Sequence, residues 1–216
     1  MKLMAAAIWL WTATVATACK VALILTVDVS GSINEEEYRL QMDGLAAAMD
    51  DSTIVDALIN AQAQVALVQW SGSSRQEITI PWQKMAARDD VAAFADLVRN
   101  AERPWRHFST AIGDMLYRVA PMIDQVDCKQ YVIDVSGDGV SNEGPIPDDA
   151  RNALIGRGVR INALAILGAS QSDLTEYFRE HVIGGLNSFV YEAQSYEDYP
   201  RTIRRKLLDE ITEPVS

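Results

Sequence analysis

Cysteine and histidine are scarce in this chain. Its 216 residues include two of each, too few and too scattered for a Cys/His zinc site. No Gly-x-x-x-x-Gly-Lys phosphate cradle occurs. Positive charge is also short: 19 Lys and Arg against 30 Asp and Glu leave a net charge of -11. So acidic a chain repels nucleic acid phosphates and anionic lipid surfaces, and tolerates cationic partners and divalent ions. Past the N-terminus, no segment approaches the ~18 consecutive apolar residues that a membrane span requires. No repeat, linker or low-complexity stretch is present. What is there is ordinary globular composition, 49% hydrophobic and 23% charged, in a length that suits one domain with a full core.

The N-terminus reads as a targeting signal. Met1-Lys2 gives a short basic start, residues 3–15 are apolar, and Ala16-Thr17-Ala18 is a small-x-small cleavage signature. A secretory signal peptide over residues 1–18 follows, with a mature domain over residues 19–216 in the periplasm or outside the cell. Cys19 would then be the first mature residue, with two competing fates. Ala-Thr-Ala-Cys loosely resembles a bacterial lipoprotein box, in which Cys19 is lipidated, but Ala16 stands where the box usually has Leu. The alternative is a disulfide with Cys128. Each cysteine precedes an apolar strand, and parallel neighbours about 4.8 Å apart would hold the two within disulfide reach. This spacing favours the disulfide, in an oxidising compartment.

Strands and helices alternate along the mature chain. Val21 to Val27 is a near-continuous apolar run, as expected of a strand buried on both faces. Asn34 caps a helix over residues 35–49, with Glu35, Glu36 and Glu37 in its first turn. Ile54, Leu58 and Ile59 suggest a further short helical turn. Residues 64–70 form a second strand, and 76–82 return as an antiparallel edge strand in which Pro81 is tolerated. Helices follow over 89–100 and 110–123, a strand over 130–135, a helix over 147–156 and a strand over 159–167. A helix over 173–180, a short strand over 188–191 and an amphipathic helix over 199–211 close the chain. The pattern is α/β: a doubly wound, Rossmann-like, mostly parallel six-stranded sheet with one antiparallel edge strand and helices on both faces.

The first strand ends in a burst of oxygen. Asp28, Ser30 and Ser32 sit at i, i+2 and i+4, so in extended backbone their side chains point the same way. A carboxylate and two hydroxyls without Cys or His suit a hard cation such as Mg2+. The same residues also suit a helix cap and turn. Ligands of doubly wound folds gather at the carboxyl ends of the strands, and Asp138 lies just past that end of the 130–135 strand. Asp28 follows Cys19 by nine residues and Asp138 follows Cys128 by ten. Side-by-side strands would thus put both carboxylates at one rim and both cysteines at the other.

At this point the chain resembles the von Willebrand factor type A (VWA) domain. That family's metal ion-dependent adhesion site is Asp-x-Ser-x-Ser, then a Thr in a central loop, then an Asp after a later strand. Asp28-Val29-Ser30-Gly31-Ser32 matches the first part in full. Thr110-Ala111-Ile112-Gly113-Asp114-Met115-Leu116 is similar to the family's Thr-x-Ile-Gly-x-Ala-Leu, with Met115 replacing Ala, and Asp138-Gly139 matches the last part. The resemblance covers roughly residues 20–210, and the segments 132–139 and 182–185 look like a bacterial secreted subgroup of unknown function. Before Thr110 the family usually carries Gly-Gly or Gly-Arg; here His107-Phe108-Ser109 stands, and Ser109 competes with Thr110 as a ligand. Asp134 lies within its strand and is expected to be structural.

The resemblance implies a metal site of Asp28, Ser30, Ser32, Thr110 and Asp138, filled by Mg2+ or by Mn2+ or Ca2+. Two carboxylates balance the ion's charge and leave it open to an anionic oxygen, which in the family a partner's Asp or Glu supplies. The expected function is metal-dependent protein binding at the bacterial envelope, without catalysis. Trp105 and Phe108, with Trp70, flank the loops as an apolar ring or as core. One alternative is a Mg2+-dependent hydrolase at the same strand ends. Against it, no second carboxylate follows Asp28 at two residues and no base stands beside Ser30 or Ser32. His107 reads as a loop residue and His181 as a helix-end residue. The other alternative is a lipid-anchored envelope scaffold with a structural metal.

Overall fold

The computed structural model describes residues 18–168 and 173–212. The targeting signal expected over residues 1–18 therefore lies, apart from Ala18, outside the described residues. Among the described residues, no helix is long and apolar enough to cross a membrane.

One six-stranded sheet organises the chain. Its strands are β1 (Cys19–Asp28), β2 (Gln64–Trp70), β3 (Gln76–Lys84), β4 (Cys128–Gly137), β5 (Val159–Ile166) and β6 (Val190–Ala193), in the order β3-β2-β1-β4-β5-β6. Five strands run parallel, and β3 pairs antiparallel to β2 at one edge. Pro81 falls within this edge strand, where a missing donor costs no ladder bond on the solvent side. The order reverses between β1 and β4. The chain fills one half of the sheet before crossing to the other, which leaves a crevice at the carboxyl ends of these two strands.

Both faces are covered, as the sequence pattern predicts. Val21, Leu23, Leu25 and Val27 of β1 face a core built with α1 (Glu35–Met49), α2 (Ser52–Ala61), α3 (Arg88–Arg99) and α7 (Tyr199–Thr212). Ile24 faces the opposite core, with α4 (Ile112–Val119), α5 (Pro147–Ile155) and α6 (Leu174–Tyr177). The period-2 pleat accounts for this division.

Several elements differ from the sequence reading for local reasons. The Asn34 cap forms a full capping box with Glu37. The short turn expected around Ile54 is a ten-residue helix capped by Asp51. The helix expected over 110–123 starts at Ile112 and gives way to a 3-10 turn over Ala120–Gln125. Pro121 lacks the N–H that an α-helix would need there. Thr110 and Ala111 precede the helix as irregular loop. The 173–180 helix is shorter, passing into a π turn over Phe178–Val182. The last strand is displaced to Val190–Ala193.

Cys19 pairs with Cys128 across β1 and β4, and the two form a disulfide. The bond engages the only sulfur Cys19 has, which leaves none for lipidation. From this pair the register runs unbroken to Val27 opposite Ser136.

Beneath α7 lies a buried polar cluster. Lys206 and Glu210, one turn apart, have no solvent exposure. The Lys206 ammonium lies 2.6 Å from both Asp134 Oδ1 and Glu210 Oε1. Asn162 Nδ2 donates to Glu210 Oε1 (3.0 Å), and Arg160 donates to the Glu210 carbonyl (2.8 Å). Asp134 is thus the structural residue that its position inside the strand suggested. Burial, then the nearby Asp134 carboxylate, raises the Glu210 carboxyl from 4.5 to about 8, against the attraction of Lys206.

Candidate metal centre

The crevice between β1 and β4 brings three distant segments together. Asp28 is the last residue of β1 and is fully buried. Its Oδ1 accepts from the Ser30 amide (2.7 Å), curling the chain so that the Ser30 and Ser32 hydroxyls lie 3.2 Å apart. Ser32 Oγ then donates to Asp138 Oδ1 (2.7 Å), just beyond β4. Asp28, Ser30, Ser32 and Asp138 therefore form one continuous group of oxygens. Thr110 borders it from the central loop: its Oγ1 lies 3.7 Å from where a Cβ on Gly139 would sit.

The backbone around these oxygens is held from several sides. The Arg103 guanidinium donates to the carbonyls of Val29 (3.0 Å) and Ser30 (2.8 Å). The Gly31 amide donates to the Phe108 carbonyl (2.7 Å). A Cβ on Gly31 would come within 3.1 Å of that carbonyl, so any larger residue would press the two loops apart by a few tenths of an ångström. Thr110 is fixed through its own backbone: its amide donates to Asn142 Oδ1 (2.9 Å), and its carbonyl accepts from the Asn142 amide (2.9 Å). Arg103 and Asn142 were not singled out from the sequence. Neither sits in a periodic pattern, and only the folded loops show what they touch. Asn142 had one weak signal, its place four residues after Asp138 in a polar loop.

The competing residue Ser109 is exposed, and its carbonyl accepts from Ser71 Oγ (3.1 Å). Thr110 is 5% exposed and faces the Asp138–Gly139 turn. Trp70 is fully buried core, Trp105 is half-buried against the α1–α7 core, and Phe108 is exposed. His107 is at the rim with a left-handed backbone (φ 64°). His181 pairs with Asp148 (Nδ1 to Oδ2, 3.0 Å), with its ring against Tyr177.

The electrostatics of the centre turn on the buried Asp28 carboxylate. Asp28 Oδ2 is buried and accepts no hydrogen bond. Burying such an oxygen is costly unless something satisfies it. Gly137 packs directly against it: a Cβ there would lie 3.2 Å from Oδ2 and 3.5 Å from the Trp70 ring. Burial, then the Asp138 carboxylate, pushes the Asp28 carboxyl up to about 8, while the bonds from Ser30 and the Arg103 charge work the other way. A divalent cation against Oδ2 would supply the missing partner and reverse that shift. Among the described residues, no group of three or more His, Cys, Asp or Glu side chains could by itself hold a metal ion. The donors here are hydroxyls and carboxylates, a hard set that suits oxygen-preferring ions.

The sheet order, with its reversal between β1 and β4, is the fold shared by solved VWA structures. Residues 18–215 match the model of the family described as "Protein of unknown function (DUF1194)", and the chain belongs to that family. Solved structures share the fold. Proximal thread matrix protein 1 from the mussel byssus, in a form with a zinc-occupied MIDAS motif, is 20% identical with a TM-score of 0.67, over 89% of this chain and 48% of that one. A von Willebrand factor type A structure from Catenulispora acidiphila is 15% identical with a TM-score of 0.65, over 92% and 44%. The pilus adhesin SpaC from Lactobacillus rhamnosus GG, in its open conformation, is 15% identical with a TM-score of 0.67, over 91% and 30%. The chain thus spans less than half the length of each of these. No curated protein matches it.

Proposed function

We propose that this chain is a divalent-cation-dependent protein-binding module. In this reading Asp28, Ser30, Ser32, Thr110 and Asp138 hold the ion, directly or through water, and an Asp or Glu of a partner protein completes its coordination. The observation that carries it is Asp28 Oδ2: a fully buried carboxylate oxygen with no hydrogen bond, at the strand end where Ser30, Ser32 and Asp138 converge. The zinc-occupied MIDAS of the mussel protein supports a divalent ion at this fold position, and the adhesin neighbour supports a protein partner. Mg2+ is the ion we assign, with Mn2+ and Ca2+ as competitors. Two carboxylates neutralise such an ion and three neutral hydroxyls donate weakly, so it keeps affinity for one more anionic oxygen.

The reading is one of binding without catalysis. Contrary to the expectation from sequence, a carboxylate does stand beside one of the serines: Ser32 Oγ donates to Asp138 Oδ1 (2.7 Å). In this reading that contact, with Ser30 alongside, sets the oxygens for a shared ion. We assign the chain to the periplasm or the cell exterior, on the sequence of residues 1–18 and the Cys19–Cys128 disulfide.

Titration calorimetry with Mg2+ tests the centre. The full chain should bind one ion, and Asp28→Ala should bind none. A pull-down from envelope extract in Mg2+, in EDTA and with Asp28→Ala tests the bridge. A partner retained equally in all three would reject it.

A further inference from the structure

The metal centre opens sideways into a cleft of about 720 Å³. Ser32 and Thr110 form its metal end, and Phe108, Val140, Asn142 and Leu174 are among its walls. Phe108 and Val140 are two of only six large apolar side chains that stand exposed among the described residues, at 39% and 44%. They come from different loops, one before Thr110 and one after Asp138, and line the same space. We propose that this cleft receives an apolar side chain close to the partner's acidic residue, so that the recognised segment is a single Asp or Glu within two positions of an aliphatic or aromatic residue. This rests on the reading of the site as a carboxylate-binding metal centre and names the partner chemistry that the site selects.

Three observations support it. Phe108 is held in place before any partner arrives. The Arg75 guanidinium stacks 3.6 Å from its ring centroid, and its carbonyl accepts from the Gly31 amide. The preceding residue, His107, adopts a left-handed backbone uncommon outside glycine. That local strain is of the kind found where a loop is shaped for contact. A fixed aromatic wall loses little entropy on binding, which is what an anchor pocket needs.

The second observation is size. The cleft exceeds what one carboxylate needs and lies within the usual range for pockets that bury a ligand's apolar surface. Consecutive residues are only 3.8 Å apart at Cα. A residue whose carboxylate meets the ion therefore leaves the side chain one or two positions away within reach of Phe108 and Val140, the second of these sharing its face in an extended segment.

The third is charge. The ion end attracts one carboxylate. The chain as a whole carries -11. A second acidic residue on the partner would meet like charge. The cleft therefore selects an isolated acidic residue beside an apolar one and disfavours acidic runs.

The test uses the full chain saturated with Mg2+ and a random dodecapeptide phage library, followed by fluorescein-labelled synthetic versions of the enriched peptides. The expected result is EDTA-sensitive peptides carrying Asp or Glu within two positions of Leu, Ile, Phe, Trp or Met. Replacing that apolar residue with Ala should weaken binding about tenfold or more, as expected for a lost buried side chain. Phe108→Ala and, separately, Val140→Ser should show the same weakening and keep the wild-type Mg2+ titration. EDTA-sensitive peptides that carry an acidic residue with no apolar preference, bound equally by both variants, would overturn this inference and leave the metal-bridge reading standing. Enrichment of acidic runs would overturn it too. A library with no EDTA-sensitive binder at all would overturn both.

Discussion

The ion cluster under α7 gives the most quantitative test of how this fold balances charge. Lys206 is one ammonium between two carboxylates, Asp134 and Glu210, at 2.6 Å from each, with no solvent exposure. In the unfolded chain Glu210 titrates near 4.5; in the folded protein burial and Asp134 raise it to about 8. Below pH 4.5 Glu210 is protonated in both states and costs nothing. As pH rises through that value the unfolded chain releases its proton while the folded protein retains it, so stability falls continuously until about pH 8. A tenfold difference in proton affinity between the two states is worth about 1.4 kcal/mol, which sets a ceiling of roughly 4–5 kcal/mol for this one group. We expect roughly half of that, about 2 kcal/mol, because effective interior dielectric behaviour softens buried-charge energies. Glu210→Gln keeps the oxygen that accepts from Asn162 and Lys206 and removes the ionisation. Urea unfolding of both proteins at about pH 5, 6.5 and 8, at matched Mg2+, reads the difference, and subtraction cancels groups that titrate alike in both. The variant should gain on the wild type as pH rises, overtaking it by about pH 8. A difference that stays constant across the range would show that the Lys206 attraction keeps Glu210 ionised throughout, and would refute the reasoning.

Other outcomes follow from the same structure. Lys206→Met strands buried carboxylate charge and should cost about 3–5 kcal/mol near neutral pH by urea unfolding. Reducing the disulfide, or replacing Cys19 and Cys128 with Ser, frees a 109-residue loop and should cost up to about 4.7 kcal/mol, read as a lower urea midpoint. Mg2+ at about a hundred times its dissociation constant should stabilise the wild type by about 2.7 kcal/mol and leave Asp28→Ala unchanged, as measured by thermal unfolding with and without EDTA. Gly113→Ala should destabilise by about 1–3 kcal/mol, since its Cβ would lie 2.2 Å from the Pro145 carbonyl. A wild-type melting temperature there would show that the 145–146 segment yields freely.

Much of the fold was legible because its signals are local. The unbroken apolar run of β1, the Asn34 cap with its acidic first turn, and the alternation of strands with helices each follow from a few adjacent residues, and each appears in the structure. The nine- and ten-residue offsets from Cys19 to Asp28 and from Cys128 to Asp138 foretold that β1 and β4 run side by side, and the disulfide confirms that pairing. Where reading failed, a single residue or a distant contact was responsible. Pro121 cut short the helix after Thr110, and a strand as short as β6 carries too little periodicity to fix its ends.

By itself, the sequence determined the inventory of this protein: the strand-end oxygens at Asp28, Ser30, Ser32 and Asp138, the two cysteines, and the α/β alternation. Only the tertiary structure decided that Arg103 and Asn142 brace the centre, that Asp28 Oδ2 is left without a hydrogen bond, that Lys206 and Glu210 share a dry pocket with Asp134, and that Phe108 and Val140 face one cleft. The physical reason is the difference in range. Periodicity, capping and turn chemistry act over a handful of residues. Burial, ion pairing and the convergence of loops depend on segments dozens of residues apart, and no local pattern encodes where those segments meet.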